Sequence, residues 1–447
     1  MMAIHAANTS QLRTRCCPAR SPFFGTRGAS AHPFSVAIVL SLLLSNLSLA
    51  VALDNGVGRL PPMGYSTWND LGCEDVTADS VRSVVSSLVS NNLHKLGYQY
   101  INIDDCWALE RDGATGRLTP DFGAFPGGIK ALADDVHSQG LKFGLYTDRG
   151  LWTCGARPGS AGREEIDSKT FADWGVDFLK IDSCNAPRTP REAMQQYVRW
   201  RDALNATGRS IFLSVCGWSP WYAEVGQALG NAWRMSRDVN GAREMWNAVA
   251  INSQLSRHAG PGAWNDPDCL IGSSPNARVS LSQTMSRTQF NLWSIMAAPL
   301  IIGANMRELN SFDLETYSNE EVIAVDQDPL ARQGTILWQN CPPTNISALV
   351  EVAEAGKYDQ LPHCQQLWAK PLLGGDWAAL LVNWAPTATQ MSIQPSNLRA
   401  MGLTTGADYR DVWRKEELGI RSDTFYVQVA GDGGSEMYRL RPSRVFL

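Results

Sequence analysis

The stretch VDFLKIDSC, residues 176–184, is a short apolar run closed by an aspartate, Asp182. The same closure recurs in YQYINIDD (98–105), KFGLYTD (142–148), AWRMSRD (232–238) and AWNDPD (263–268). A carboxylate at the end of a buried strand costs free energy unless something there uses it. Repeated at equivalent strand ends, Asp104, Asp105, Asp148, Asp182, Asp238 and Asp268 therefore predict strands converging on one acidic mouth. Outward from these runs, strand-like segments begin with MGYSTW at Met63 and continue through YQYINI, KFGLY, VDFLKI, IFLSVC, AWRMS, a short piece at 262–264 and APLIIG (298–303). Between them lie amphipathic helical stretches, with Thr77 and Ser168 read as N-caps and Gly97, Gly140 and Gly175 at helix ends. Eight βα units over about 270 residues have the rhythm of an α/β (β/α)8 TIM barrel. A doubly wound sheet is the rival, but no GxGxxG follows the first strand.

After about residue 330 the segments GTILWQN, SALVEVA, QQLWAKPL, WAALLVNW, TQMSIQP, YRDVW, FYVQVA and SEMYRLRP, separated by turn residues, read as a C-terminal antiparallel β-sandwich. The expected organisation is a leader over 1–52, a barrel over 53–330 and a sandwich over 331–447.

The leader has Arg13, Arg15, Arg20 and Arg27 before an apolar run, 34–52, that ends in small residues. This is the layout of a secretory signal, with cleavage expected near Ala50 or Ala52. Ser41, Ser45, Asn46 and Ser48 weaken the run as a permanent anchor, and no later segment approaches ~18 consecutive apolar residues, so no stable membrane insertion is expected afterwards. The destination is the secretory pathway: wall, vacuole or medium. Eight cysteines outside the leader suit an oxidising compartment. None forms a CxxC and histidines number only six, so no metal site is expected. Cys341 and Cys364 flank a hairpin-like excursion and are candidates to pair with each other. Asn205 and Asn345 head glycosylation sequons. A net charge of −5 gives no basic field for nucleic acid. Sixteen tryptophans are mostly core filler, yet indole faces also stack on sugars.

Two carboxylates across a barrel mouth can cleave a glycosidic bond. In the retaining mode one attacks the anomeric carbon and the other protonates the leaving oxygen, at a separation of ~5 to 5.5 Å. Lys180 and Asp182 lie two apart on one strand and share a side, so the cation is expected to hold Asp182 ionised. Arg234 and Asp238 are neighbours where the chain leaves its strand, suiting a hydroxyl contact beside a proton donor.

At these residues the chain resembles glycoside hydrolase family 27, the α-galactosidases and α-N-acetylgalactosaminidases. The likeness runs from LDNGVGRLPPMGYSTWND through IDDCW, LYTDRG, FLKIDSC, WRMSRD and GPGAWNDPD to APLIIG. It implies the barrel-plus-β-domain fold and a retaining double displacement that uses no cofactor. It further implies Asp182 as nucleophile and Asp238 as acid/base, acting on a galactose-containing carbohydrate. Trp68 would stack on the sugar, Asp104 and Asp105 would take its O4 and O6 side, and Lys180 and Arg234 would bind ring hydroxyls. Tyr146 and Asp268 would complete the cup. The resemblance pairs Cys73 with Cys106 and Cys154 with Cys184. Cys216 and Trp218 in SVCGWSPW look like the plant-type α-galactosidase arrangement, which leaves no room for an N-acetyl group at C2. Cys269 stands where the family usually has methionine, and Cys216 and Cys269 are either free or paired with each other. β-L-Arabinopyranosidase, α-N-acetylgalactosaminidase and a non-catalytic sugar-binding protein are the alternative readings.

Overall fold

The computed structural model describes residues 53–187, 189–358 and 360–443. The leader expected over 1–52 lies outside them. Eight parallel strands form the first sheet: β1 (Met63–Ser66), β2 (Tyr100–Asn102), β3 (Lys142–Asp148), β4 (Phe178–Asp182), β5 (Phe212–Cys216), β6 (Ala232–Arg234), β7 (Trp264–Asp266) and β8 (Leu300–Ile302). They pair in chain order and β8 pairs with β1. A parallel bridge from Leu270, just past β7, to Ile302 completes the ring. This is the expected TIM barrel.

Helices between the strands begin and end for local reasons. Thr77 caps Ala78–Ser90 through a reciprocal bond with Ser80. Gly140 and Gly175 turn out of their helices at φ 73° and 81°, where a side chain would be strained. Ser168 is not a cap: its helix starts a turn earlier, at Glu164, and Ser168 is buried within it. The segment read as one helix from Thr77 to Gly97 is two, because Asn92 adopts a left-handed conformation and a 3₁₀ turn, Leu93–Leu96, follows.

Strand alternation fills the barrel in layers. On β4, Phe178, Lys180 and Asp182 share the inner side, while Leu179 and Ile181 belong to the surrounding hydrophobic core. Tyr100, Phe178, Phe212, Ala232 and Trp264 pack into a separate apolar floor. Phe178 and Phe212 stack there at 4.9 Å. Above this floor the inward residues are polar.

The C-terminal strands are β9 (Thr335–Gln339), β10 (Gln365–Pro371), β11 (Trp377–Asn383), β12 (Thr389–Ile393), β13 (Ala407–Asp411), β14 (Glu416–Arg421), β15 (Phe425–Val429) and β16 (Gly434–Pro442). Six make one antiparallel sheet, and β12 with β15 make a second. Side chains from both sheets, among them Leu367, Leu381, Ile393, Val427 and Leu440, meet in one core. SALVEVA is not a strand. It lies in a helix, Ile346–Ala355, capped by the Asn345 side chain on Ser347 N–H. Ile346, Leu349 and Val350 form the face that packs inward, a spacing of three and four that overrides the apparent alternation. β14 was absent from the sequence reading, since Glu416, Glu417 and Ile420 on it are exposed and give it no apolar alternation.

The sandwich is seated on the barrel by polar contacts. Lys370 of β10, fully buried, donates to the carbonyls of Ser294, Val325 and Asp326 at the ends of two barrel helices. Burial pushes its ammonium down to about 8. Lys370→Met would fit sterically but leave these carbonyls unpaired, and an expected loss of roughly 2–4 kcal/mol would be read by urea unfolding. An unchanged unfolding midpoint would show that the lysine carries no load at this junction.

Candidate active site

The acidic strand ends converge on one cleft of about 170 Å³ at the C-terminal face of the barrel. Trp68, Asp104, Asp105, Tyr146, Lys180, Asp182, Trp218, Arg234, Asp238 and Asp268 all line it, with Ser66, Asn69, Arg237 and Cys269 beside them. Parallel register explains the assembly. Tyr146 pairs with Lys180, Asp148 with Asp182, and Cys216 with Arg234, so residues distant in sequence arrive at equal height. A smaller cavity of about 40 Å³ lies against the barrel interior and shares Asp104, Lys180, Arg234 and Asp268 with the cleft.

Two cations organise the carboxylates. Lys180 Nζ is 2.9 Å from Asp104 and 3.9 Å from Asp182, and it sits 5.2 Å from the centre of the Tyr146 ring. Arg234 bridges Asp238 and Asp268, each at 2.9 Å. Burial works against both cations, but the surrounding carboxylates overcome it and hold their pKa values well above ordinary.

The two candidate catalytic carboxylates differ sharply in setting. The Asp182 side chain is 6% exposed and that of Asp238 is 54% exposed. Burial pushes the Asp182 carboxyl up to about 7, with Lys180 only partly opposing the rise. The expectation that Lys180 holds Asp182 ionised is therefore corrected: the lysine's closer partner is Asp104, and desolvation of Asp182 outweighs its attraction. For Asp238 burial acts upward too, but Arg234, Lys180 and Arg237 outweigh it and bring the carboxyl below its usual range. Asp268, buried beside Arg234, is raised to about 6 because desolvation exceeds the attraction of the cation.

Two further expectations change. Asp148 is fully buried and accepts from the N–H groups of Gly150 and Cys184, so it shapes the loop beneath the mouth and is not among the residues lining the cleft. Cys216 is 1% exposed, with its sulfur 3.9 Å from Arg234 Nη1, and it does not line the cleft; Trp218 does. Cys216 and Cys269 are free, and burial pushes both thiols well up. Asp105 lines the cleft while accepting from Cys106 N–H and Gly155 N–H, each at 2.6 Å. Arg237 and Asn69 escaped the sequence reading. Arg237 had a visible signal, a third charge in WRMSRD, but only the fold stacks it over Trp218 at 5.2 Å.

The rim is strained and stapled. Cys106, Trp218 and Asp268 are non-glycine residues in the left-handed region, at φ 78°, 56° and 94°. Disulfides join Cys73 to Cys106, Cys154 to Cys184 and Cys341 to Cys364. Asp148, Cys154, Asp182 and Cys184 have ligand atoms within 4.8 Å of one another, but the two sulfurs are disulfide-bonded and offer no thiolate to a metal. Asn205 and Asn345 of the sequons are both exposed.

A TIM barrel with paired aspartates at its C-terminal mouth, followed by a β-sandwich, defines a glycoside hydrolase. Residues 60–328 match the family model "Alpha galactosidase A" and residues 363–440 match "Alpha galactosidase C-terminal beta sandwich domain". The chain belongs to the α-galactosidase (melibiase) family. It is similar to α-galactosidase 3 of Arabidopsis thaliana, at 38% identity over 88% of this chain and 84% of that protein. It is 37% identical to an α-galactosidase of Cyamopsis tetragonoloba over 87% of this chain and 88% of that one. Among solved structures, the α-galactosidase of Saccharomyces cerevisiae with raffinose aligns at a TM-score of 0.77 and 27% identity, covering 87% of this chain and 99% of that one. No helix among the described residues is long and apolar enough to cross a membrane.

The raised Asp182 carboxyl couples stability to pH. A group lifted in the folded state contributes stability that is full below its unfolded value, near 4, and is lost as pH rises through about 7. Asp182→Asn keeps the neutral shape at every pH. Its stabilisation in thermal or urea unfolding is expected to be about 2–3 kcal/mol larger at pH 8 than at pH 5. A pH-independent effect would contradict the burial argument.

Proposed function

We propose that this protein is a retaining α-galactosidase that removes terminal α-D-galactosyl residues, with Asp182 as nucleophile and Asp238 as acid/base. The observation that carries the reading is the shared cleft: both carboxylates line it, one enclosed beside Lys180, the other open to solvent beside Arg234. In the first step an Asp182 oxygen bonds to the anomeric carbon as the bond to the leaving oxygen breaks, and Asp238 gives that oxygen its proton. In the second, Asp238 takes a proton from water, whose oxygen displaces Asp182 and releases α-galactose. Trp68 offers a stacking face, and Asp104 and Asp105 offer acceptors on one flank, as an axial O4 requires. Trp218 at the cleft wall supports exclusion of an N-acetyl group at C2. The disulfides support passage through the secretory pathway.

Proton placement in the free protein runs opposite to the mechanism, with the proton favoured on Asp182 and the charge on Asp238. The productive arrangement carries the same single proton on the pair, moved to Asp238. The profile of kcat/KM against pH is therefore expected to be a bell. It falls above about 7, where the pair loses its last proton, and falls on the acid side below the ordinary carboxylate range. Activity rising steadily through pH 8 would contradict this.

Asp182→Asn and Asp238→Asn are each expected to lower kcat/KM for raffinose by roughly 10²–10⁴ or more. Proton NMR of the wild-type reaction should show α-galactose as the first anomer. Release of β-galactose first, or full activity in either variant, would refute the assignment.

A further inference from the structure

The excursion closed by Cys341 and Cys364 starts after the first matched stretch, ends at the beginning of the second and holds the helix Ile346–Ala355. That helix packs on Ala242–Asn252, the barrel helix that starts four residues after Asp238. Their direction is fixed by two contacts. Gln254, past the end of the barrel helix, donates to Thr344 at 3.4 Å, ahead of the start of the other helix. Asn247, midway, donates to the Leu349 carbonyl at 3.0 Å. The helices are therefore antiparallel, which carries the end of Ile346–Ala355 toward the start of Ala242–Asn252 and so toward Asp238. There Gly356, left-handed at φ 61°, ends the helix and turns the chain back. Two residues later comes Tyr358, half-buried.

We propose that Tyr358, delivered by this excursion, stands just outside the cleft on its Asp238 side and stacks on the group leaving from galactose, a second sugar ring. The inference rests on Asp238 being the acid, since a proton donor marks where the leaving oxygen sits. The helix direction and the charges that act on Tyr358 support the placement, and the neighbouring lip supports the ligand. Burial raises the Tyr358 phenol, Glu244 and Asp238 add to the rise, and Arg237 and Arg234 oppose it, as expected beside the start of the barrel helix and the cleft rim. Arg237, stacked on Trp218, lines the cleft next to Asp238 and supplies donors for sugar hydroxyls. An amphipathic aromatic face next to a guanidinium suits a carbohydrate, which has apolar ring faces and a polar edge.

The test compares raffinose, whose leaving group is a disaccharide, with methyl α-galactoside, whose leaving group is too small to reach the lip. Tyr358→Ala is expected to lose about three- to tenfold more kcat/KM on raffinose than on methyl α-galactoside, while Tyr358→Phe keeps the wild-type ratio. Equal losses on both substrates, or none, would overturn the inference and leave the α-galactosidase reading intact. Wild-type protein inactive on both would sink that reading, and this one with it.

Discussion

Two cations set among carboxylates at the open end of the barrel are the constraint on which the site depends. Without Lys180 and Arg234, the side chains of Asp104, Asp182, Asp238 and Asp268 would repel one another in a poorly solvated space. Each cation holds two acids, one of them a candidate catalytic carboxylate. Lys180 is committed to Asp104 and only leans toward Asp182. Arg234 divides itself between Asp268 and Asp238. Substrate hydroxyls entering the cleft can compete for these partners, so binding and the ionisation of the catalytic pair are linked through the same two side chains.

The apolar floor gives this network its strength. Phe178, Phe212 and Trp264 close the barrel beneath the charged layer and keep water from screening it from below. That same dryness lifts Asp182 and Asp268 above ordinary carboxylates. Above, the rim is held in left-handed turns at Cys106, Trp218 and Asp268, and Cys106 is itself bonded to Cys73. Left-handed non-glycine residues at the mouth, on loops that follow regular β-strands, fit a rigid scaffold presenting a site.

The second domain adds more than stability. Its sheet is anchored to the barrel by Lys370, Thr288 with Gly433, and Trp413 with Asn291. The stapled excursion from that sheet runs back along Ala242–Asn252, toward the acid/base side of the cleft. A chain segment distant in sequence from every catalytic motif thus becomes part of the approach to them.

Strand runs, their closing aspartates and the turn-rich tail were readable in the sequence because periodicity and chain punctuation are local. So were most of the cleft residues, since a strand's C-terminal end in a barrel has one destination. Local reading failed where a fold supplies the deciding neighbour. SALVEVA alternates well enough for a strand, but barrel packing on Ile346, Leu349 and Val350 makes it a helix. Asp148 and Asp182 close their strands alike, yet Asp148 braces the loop by accepting from Gly150 and Cys184 N–H, whereas Asp182 accepts from its neighbour Ser183 N–H and lines the cleft. Cys216 and Trp218 are two apart in sequence, but one is buried against Arg234 and the other lines the cleft. The sequence by itself determined which chemistry arrives at the mouth. Only the tertiary structure decided the protonation of each carboxylate, because desolvation and through-space charge depend on distances that chain order does not contain.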